Sequence, residues 1–289
     1  MKAKRQMTAV LFLIPAAIML GGFLLYPLCK TIYYSFTSWY NFSATQTFIG
    51  LDNYIEMLND PVIVTALKNT ALLMVGVLIF QIGLSMTLAI MVDTARHCFK
   101  FFRTVYFFPI VISATAIGLM FSMIYKYEYG LLNYILVALG GEKRVWITEK
   151  TSAILSLIPV VWQYVGFYFV IFLTGIANIP TDIYESAELD GITGFQKAIY
   201  ITVPMLKSVL VSSIVLVVSG CFKVFDIVFI ITNGGPMDSS QLLSTYMYQK
   251  AFLRYNGGYA SAIAVVMIIL GIAVTAVLRG VLQGGDEIE

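Results

Sequence analysis

Lys223 and Asp226 stand three residues apart inside a long apolar run, the setting in which a charge is most expensive. At the centre of a bilayer each costs about 2.5–3.5 kcal/mol on insertion scales, so each requires a partner or a water-filled cavity. On one helix this spacing makes them neighbours, and Ser219, Phe222, Lys223 and Asp226 then form a single stripe. Two uses fit such a stripe: a mutual ion pair at a helix–helix contact, or the polar lining of a path through the membrane. The two are compatible, because a pair can border a cavity. An earlier run offers a second stripe, Trp162, Gly166 and Phe169 at i, i+4 and i+7, with Gln163 adjacent. Aromatic faces suit the apolar face of a sugar ring, an amide suits its hydroxyls, and Gly166 makes room. For any one of these residues, packing against other helices or lipid is the competing use.

No catalytic constellation accompanies them. His97 is the sole histidine and lies in a basic stretch with Arg96, Lys100 and Arg103. Cys29, Cys98 and Cys221 are scattered, with no spacing that suits a metal or a disulfide framework. No G-x-x-x-x-G-K-[ST] loop is present, so the chain has no phosphate cradle of that kind for ATP.

The elements that must position these residues are membrane spans. Apolar residues make up 59% of the 289-residue chain and charged residues 12%, and mean hydropathy is +0.85; ordinary soluble domains carry about 25% charged residues. Blocks long enough to cross a bilayer predict an all-α membrane protein with six transmembrane helices, about 8–29, 66–92, 104–125, 152–176, 205–231 and 258–279. Residues 1–289 read as one transmembrane domain. Lys2, Lys4 and Arg5, with the basic stretch at 96–103, place both termini on the cytoplasmic side. The first span reads as a retained anchor rather than a cleaved leader. A net charge of +2 gives no reason to expect nucleic acid.

The cytoplasmic loop 179–204 is the most informative segment. Asp182, with Glu185 three residues on, predicts a capping box at the start of a short helix, and Gly191 suits the left-handed residue that ends it. Thr193 and Gln196 predict a second box, opening a helix that runs to Pro204. An interfacial membrane helix would present a basic face. This one is acidic, with Asp182, Glu185, Glu188 and Asp190, which favours a protein partner.

Glu185-Ser186-Ala187, Asp190-Gly191 and Ile201-Thr202-Val203-Pro204 resemble the EAA…DG…IxLP signature of ABC importer permeases. Ser186 stands where that family usually has Ala, a small-for-small change. Thr232-Asn233-Gly234-Gly235-Pro236 is similar to the TNGGP of the carbohydrate-uptake branch, which includes maltose, raffinose-type sugar and glycerol-3-phosphate permeases. Phe48 to Tyr54, Gly130 to Asn133 and Gly258 to Ala262 resemble the same branch. The resemblance implies a type I importer permease fold in a bacterial or archaeal cytoplasmic membrane. It also implies a second homologous permease, two cytoplasmic ATPase subunits that bind ATP and Mg, an extracytoplasmic solute-binding protein and a carbohydrate substrate. Glu185, Ser186, Ala187, Glu188, Asp190 and Gly191 would then form the helix that docks in the ATPase, and the stripes on spans four and five would contact substrate. A glycerol-3-phosphate permease, a stand-alone secondary transporter or channel, and a membrane enzyme are the competing readings. No inverted repeat is detectable to support a secondary transporter.

Overall fold

The computed structural model describes residues 12–41, 43–94 and 99–283. Lys2, Lys4 and Arg5, the start of the first predicted span, Arg96, His97 and Cys98 lie outside the described residues. The architecture is helical, apart from a two-residue hairpin pair, β1 (Thr37–Ser38) and β2 (Thr47–Phe48). Among the described residues, four helices are long and apolar enough to cross a membrane: α1 (Phe12–Tyr34), α3 (Pro61–Asp93), α7 (Ser152–Ala177) and α13 (Gly257–Gln283). Two further spans are broken. In the first, α4 (Phe99–Val111) and α5 (Ala114–Ile124) meet at 92°; in the second, α9 (Gly194–Met205) and α10 (Lys207–Cys221) meet at 69°. Counting each bent pair as one span gives up to six. Shorter helices are α2 (Asp52–Asn59), α6 (Leu131–Ala138), α8 (Thr181–Leu189), α11 (Asp226–Thr232) and α12 (Leu243–Tyr248).

This corrects the fifth predicted span. Residues 205–231 do not form one helix: the chain bends at Leu206, α10 ends at Cys221, and Phe225 adopts φ −140° and ψ −65° before α11 begins. The third span breaks at Ile112–Ser113, three residues after Pro109, whose ring denies the helix one N–H. The carbonyls and amides freed there find side chains instead: Ser113 Oγ accepts the Ala116 N–H at 3.2 Å, and Gln163 Nε2 donates to the Ile112 carbonyl at 3.2 Å.

The residues group into two compact units. One comprises the described residues up to Ile63 and Tyr246–Ile269. In it the Phe48–Tyr54 motif acquires a physical meaning. Gly50, at φ +62°, turns the chain out of β2. Buried Asn53 then donates to the Ser35 and Thr37 carbonyls at 2.8 and 3.0 Å, and Tyr54 Oη donates to Ser35 Oγ at 2.7 Å. Gly258 abuts the same segment, since a Cβ there would fall 2.1 Å from the Thr37 carbonyl oxygen.

At the start of α3, Asp60 caps the helix by accepting the Val62 N–H at 2.9 Å. Its other oxygen accepts from Tyr246 Oη at 2.6 Å and Tyr259 Oη at 2.8 Å, with Lys250 Nζ 3.6 Å away. That ammonium lies 4.3 Å over the Tyr259 ring and 5.1 Å over Tyr246. The two charged side chains are only 12% and 11% exposed. Burial alone would raise the Asp60 carboxyl. The hydrogen bonds from both tyrosines and Val62, and the charge of Lys250, outweigh it and hold the group below the usual carboxylate range.

The other unit, Val64–Thr245 with the residues from Leu270 on, carries the main core. Phe169, Phe172, Ile117, Val218 and Val228 are fully buried there.

Candidate functional site

The predicted loop helix is α8, and its two ends differ from each other. At the C-terminus the Gly191 N–H reaches the Glu188 carbonyl and the Ile192 N–H reaches that of Ala187, both near 3 Å, with Gly191 at φ +77°. This is the Schellman arrangement the glycine foretold. At the N-terminus no capping box forms. Pro180 occupies the cap position without a side-chain bond, and Asp182 falls inside the first turn, where its charge complements the dipole. Thr193 is likewise the cap residue of α9 but makes no side-chain capping bond. Glu185, Ser186, Glu188, Asp190 and Gly191 are exposed, whereas Ala187 is buried and points inward. The exposed side of α8 is therefore acidic, with Leu189 and the small Ser186 on the helix and Gly191 just past its end.

The stripe expected on span five does not form. Ser219 lies on α10, Phe222 and Lys223 in the turn after it, and Asp226 at the head of α11, so no common helical face holds all four. Ser219 Oγ donates to the Val215 carbonyl at 2.9 Å, and Phe222 lies 3.6 Å from where a Cβ on Gly271 would stand. Lys223 and Asp226 are exposed, and no ion pair joins either to another described residue. The mutual-pair alternative is not what this structure adopts.

On α7 the stripe faces packing partners. A Cβ on Gly166 would stand 1.7 Å from the Tyr106 carbonyl oxygen, so this glycine permits close contact with α4 rather than making room for a ligand. Phe169 is fully buried and edge-on to Tyr106 at 5.3 Å, and Trp162 is half-buried at 5.9 Å from Phe121. Gln163 is buried, with Nε2 committed to the Ile112 carbonyl and Oε1 without a hydrogen-bond partner.

The neighbouring face of α7 carries the cavity. Tyr164 and Tyr168, with Gln81 on α3, Cys221 and Gly220 on α10, and Lys223, line a pocket of about 200 Å³. Gln81 is buried with no hydrogen-bond partner on Oε1. Sequence reasoning missed Gln81, Tyr164 and Tyr168. An i, i+4 tyrosine pair one face away from the chosen stripe was the available signal.

The Thr232–Pro236 motif closes α11. Asn233 and Gly234 take φ +48° and +81°, and Thr232 Oγ1 accepts from Ser240 Oγ at 2.7 Å. Gly234 admits the buried Gln241 side chain, 2.3 Å from where a Cβ would stand.

Against this geometry, residues 81–284 match the family described as the binding-protein-dependent transport system inner membrane component. The chain belongs to this family. The permease is 39% identical, over 96% of each chain, to the probable ABC transporter permease protein YurN of Bacillus subtilis strain 168. It is 32% identical to the diacetylchitobiose uptake system permease protein NgcF of Streptomyces coelicolor, covering 92% of this chain and 80% of the relative. Its fold matches a chain of a bacterial alginate ABC transporter solved with an alginate pentasaccharide-bound periplasmic protein, with TM-score 0.87 and 19% identity over 99% and 97% of the two chains. The permease is thus a multi-pass membrane subunit of a transport system and not its ATPase.

Proposed function

We propose that this permease forms part of the translocation path of a carbohydrate importer, six spans with both termini cytoplasmic, acting with a second, related permease. On this reading two cytoplasmic ATPase subunits hold ATP and Mg, and an extracytoplasmic binding protein delivers the sugar. The described residues act as one permease domain. The observation that carries the substrate class is the lining of the pocket beside α7, where two tyrosines, an amide with an unpartnered oxygen and one cation stand among Val77, Val160, Val217 and Val224. Tyrosine faces and an amide suit sugar rings and hydroxyls. A phosphate would call for several cations, and only Lys223 lines this pocket. The named substrates of the relatives, diacetylchitobiose and alginate, support the same class.

Lys223 and Asp226, together with Ser219 and Phe222, border the path on the α10 side. Trp162, Gln163, Gly166 and Phe169 hold its α7 wall in place. The acidic face of α8, with Glu185, Ser186, Glu188, Asp190 and Gly191 exposed and Ala187 seating it, docks in the ATPase.

A direct test replaces Cys29, Cys98 and Cys221, then places single cysteines at 164, 168, 219, 223 and 226 and adds a water-soluble thiol reagent from outside. Labelling that substrate and the binding protein suppress supports the path, and none at any position in resting or turnover conditions excludes it. For the docking face, Glu185→Lys leaves the chain inserted but lowers transport-coupled ATP hydrolysis at least tenfold in the reconstituted complex.

A further inference from the structure

α8 and α9 are braced against each other. Lys197 on α9 places Nζ 2.9 Å from Glu188 Oε1 on α8 and 4.5 Å over the Tyr184 ring of the same helix. Tyr184 Oη lies 3.2 Å from Thr202 Oγ1, further along α9, and Thr202 is buried. One side chain of α9 therefore grips both an acid and an aromatic of α8, while a second holds the phenol. Beneath the pair the packing opens. A cavity of about 580 Å³ has Ile90 and Asp93 at the end of α3 and Ile176 and Ala177 at the end of α7 on one side, and α8 and α9 on the other. The far end of α9 is pinned. Leu206, at the 69° bend, is buried and seats against Gly175 of α7, where a Cβ would lie 2.7 Å from its Cδ2. A body stiff within, hollow beneath and anchored at one bend can swing about that bend without unpacking the core.

We propose that α8 and α9 move as one lever about Leu206, and that Lys197 is the positioning residue that keeps the lever rigid. The proposal rests on the reading of α8 as the ATPase contact and adds to it the element that carries the displacement to α10. The brace is half-exposed, with the Glu188 side chain 59% accessible, so it adds little to stability. Its role is geometric: it fixes the angle between the surface that is pushed and the helix that must turn. Without Lys197 the same push flexes the Gly191–Thr193 turn and is not passed on.

The test uses the complete reconstituted transporter with its binding protein, comparing Lys197→Met, Lys197→Arg and Glu185→Lys. Lys197→Met is expected to leave assembly and substrate-stimulated ATP hydrolysis within twofold of the parent, while sugar moved per ATP falls at least fivefold. Lys197→Arg, which keeps the charge and the ring contact, restores most of that ratio. In parallel, spin labels at exposed positions 189 and 195, one on each helix, should give a broadened distance distribution in Lys197→Met alone. An unchanged transport ratio with an unbroadened distance overturns the lever. So does loss of ATPase assembly in Lys197→Met, which would make Lys197 a docking residue. If Glu185→Lys left assembly and coupling intact, the docking reading itself would fail, whatever Lys197 does.

Discussion

Two charged pairs in this chain were given opposite treatment. Asp60 and Lys250 are buried together. Every acceptor of the carboxylate that faces the protein is engaged by a tyrosine, a backbone amide or the ammonium, and that ammonium is covered by two aromatic rings. Lys223 and Asp226 are exposed, divided by a helix break, and joined to no other charged residue in the described chain. Burial is affordable only when a charge is saturated. A charge left open in an apolar stretch points instead to something outside the chain that completes it. The difference separates a pair whose partners all lie within the chain from a pair that has none among the described residues.

The sharpest way to break this comparison is to remove one member of the saturated pair. Lys250→Met strands the Asp60 charge and should cost about 3–5 kcal/mol, read as a large drop in thermal unfolding temperature of the purified complex. Adding Asp60→Asn to the same chain should recover most of that loss. The acid dependence has a definite sign. Because the folded Asp60 carboxyl sits below its unfolded value, its contribution is complete above the ordinary carboxylate pKa and is lost as pH falls through the depressed one. Asp60→Asn should flatten that acid limb.

A smaller effect is expected at Gly166→Ala. The added methyl meets the Tyr106 backbone, not a flexible side chain, and overpacking of this kind costs about 1–3 kcal/mol. If Gly166 served only to admit substrate, unfolding would be unchanged and uptake alone would fall. Smallest for stability is the open pair. Lys223→Met and Asp226→Asn should each shift unfolding by no more than about 0.5 kcal/mol, as surface changes do, while altering uptake several-fold. A loss of several kcal/mol there would erase the contrast with Asp60 and Lys250.

Much of α8 could be read in advance, because its signals are local. Gly191 announces a left-handed stop, and the run of Asp and Glu announces a solvent-facing side. The long apolar blocks 66–92, 152–176 and 258–279 likewise correspond to continuous helices, since bilayer thickness sets their length. What escaped was non-local. The capping boxes at Asp182 and Thr193 were plausible spacings overridden by Pro180 and by the path of the chain. The stripe at Ser219–Asp226 assumed a helix through Phe222–Phe225, but α10 ends at Cys221 and Phe225 leaves helical values, with no Pro or Gly at 222–225 to flag the break. Gln163 was matched to sugar hydroxyls, yet its Nε2 serves a carbonyl freed by a break 51 residues earlier in the chain, a pairing that only tertiary structure reveals. The Asp60 cluster joins residues from opposite ends of the sequence, and nothing near Asp60 names its partners.

The break at Ile112–Ser113 also bears on how the protein is made. A transmembrane segment can partition into lipid by itself only if its backbone groups are closed within it. Here the Ile112 carbonyl is closed by Gln163, which lies 51 residues later, in the next hydrophobic stretch. That stretch has two courses: to wait at the insertion machinery for its successor, or to enter as a straighter helix and bend later. Either way the third and fourth hydrophobic stretches mature as a pair. Truncating the nascent chain before Gln163 should leave the third stretch straighter, or less firmly inserted, than it is in the finished protein.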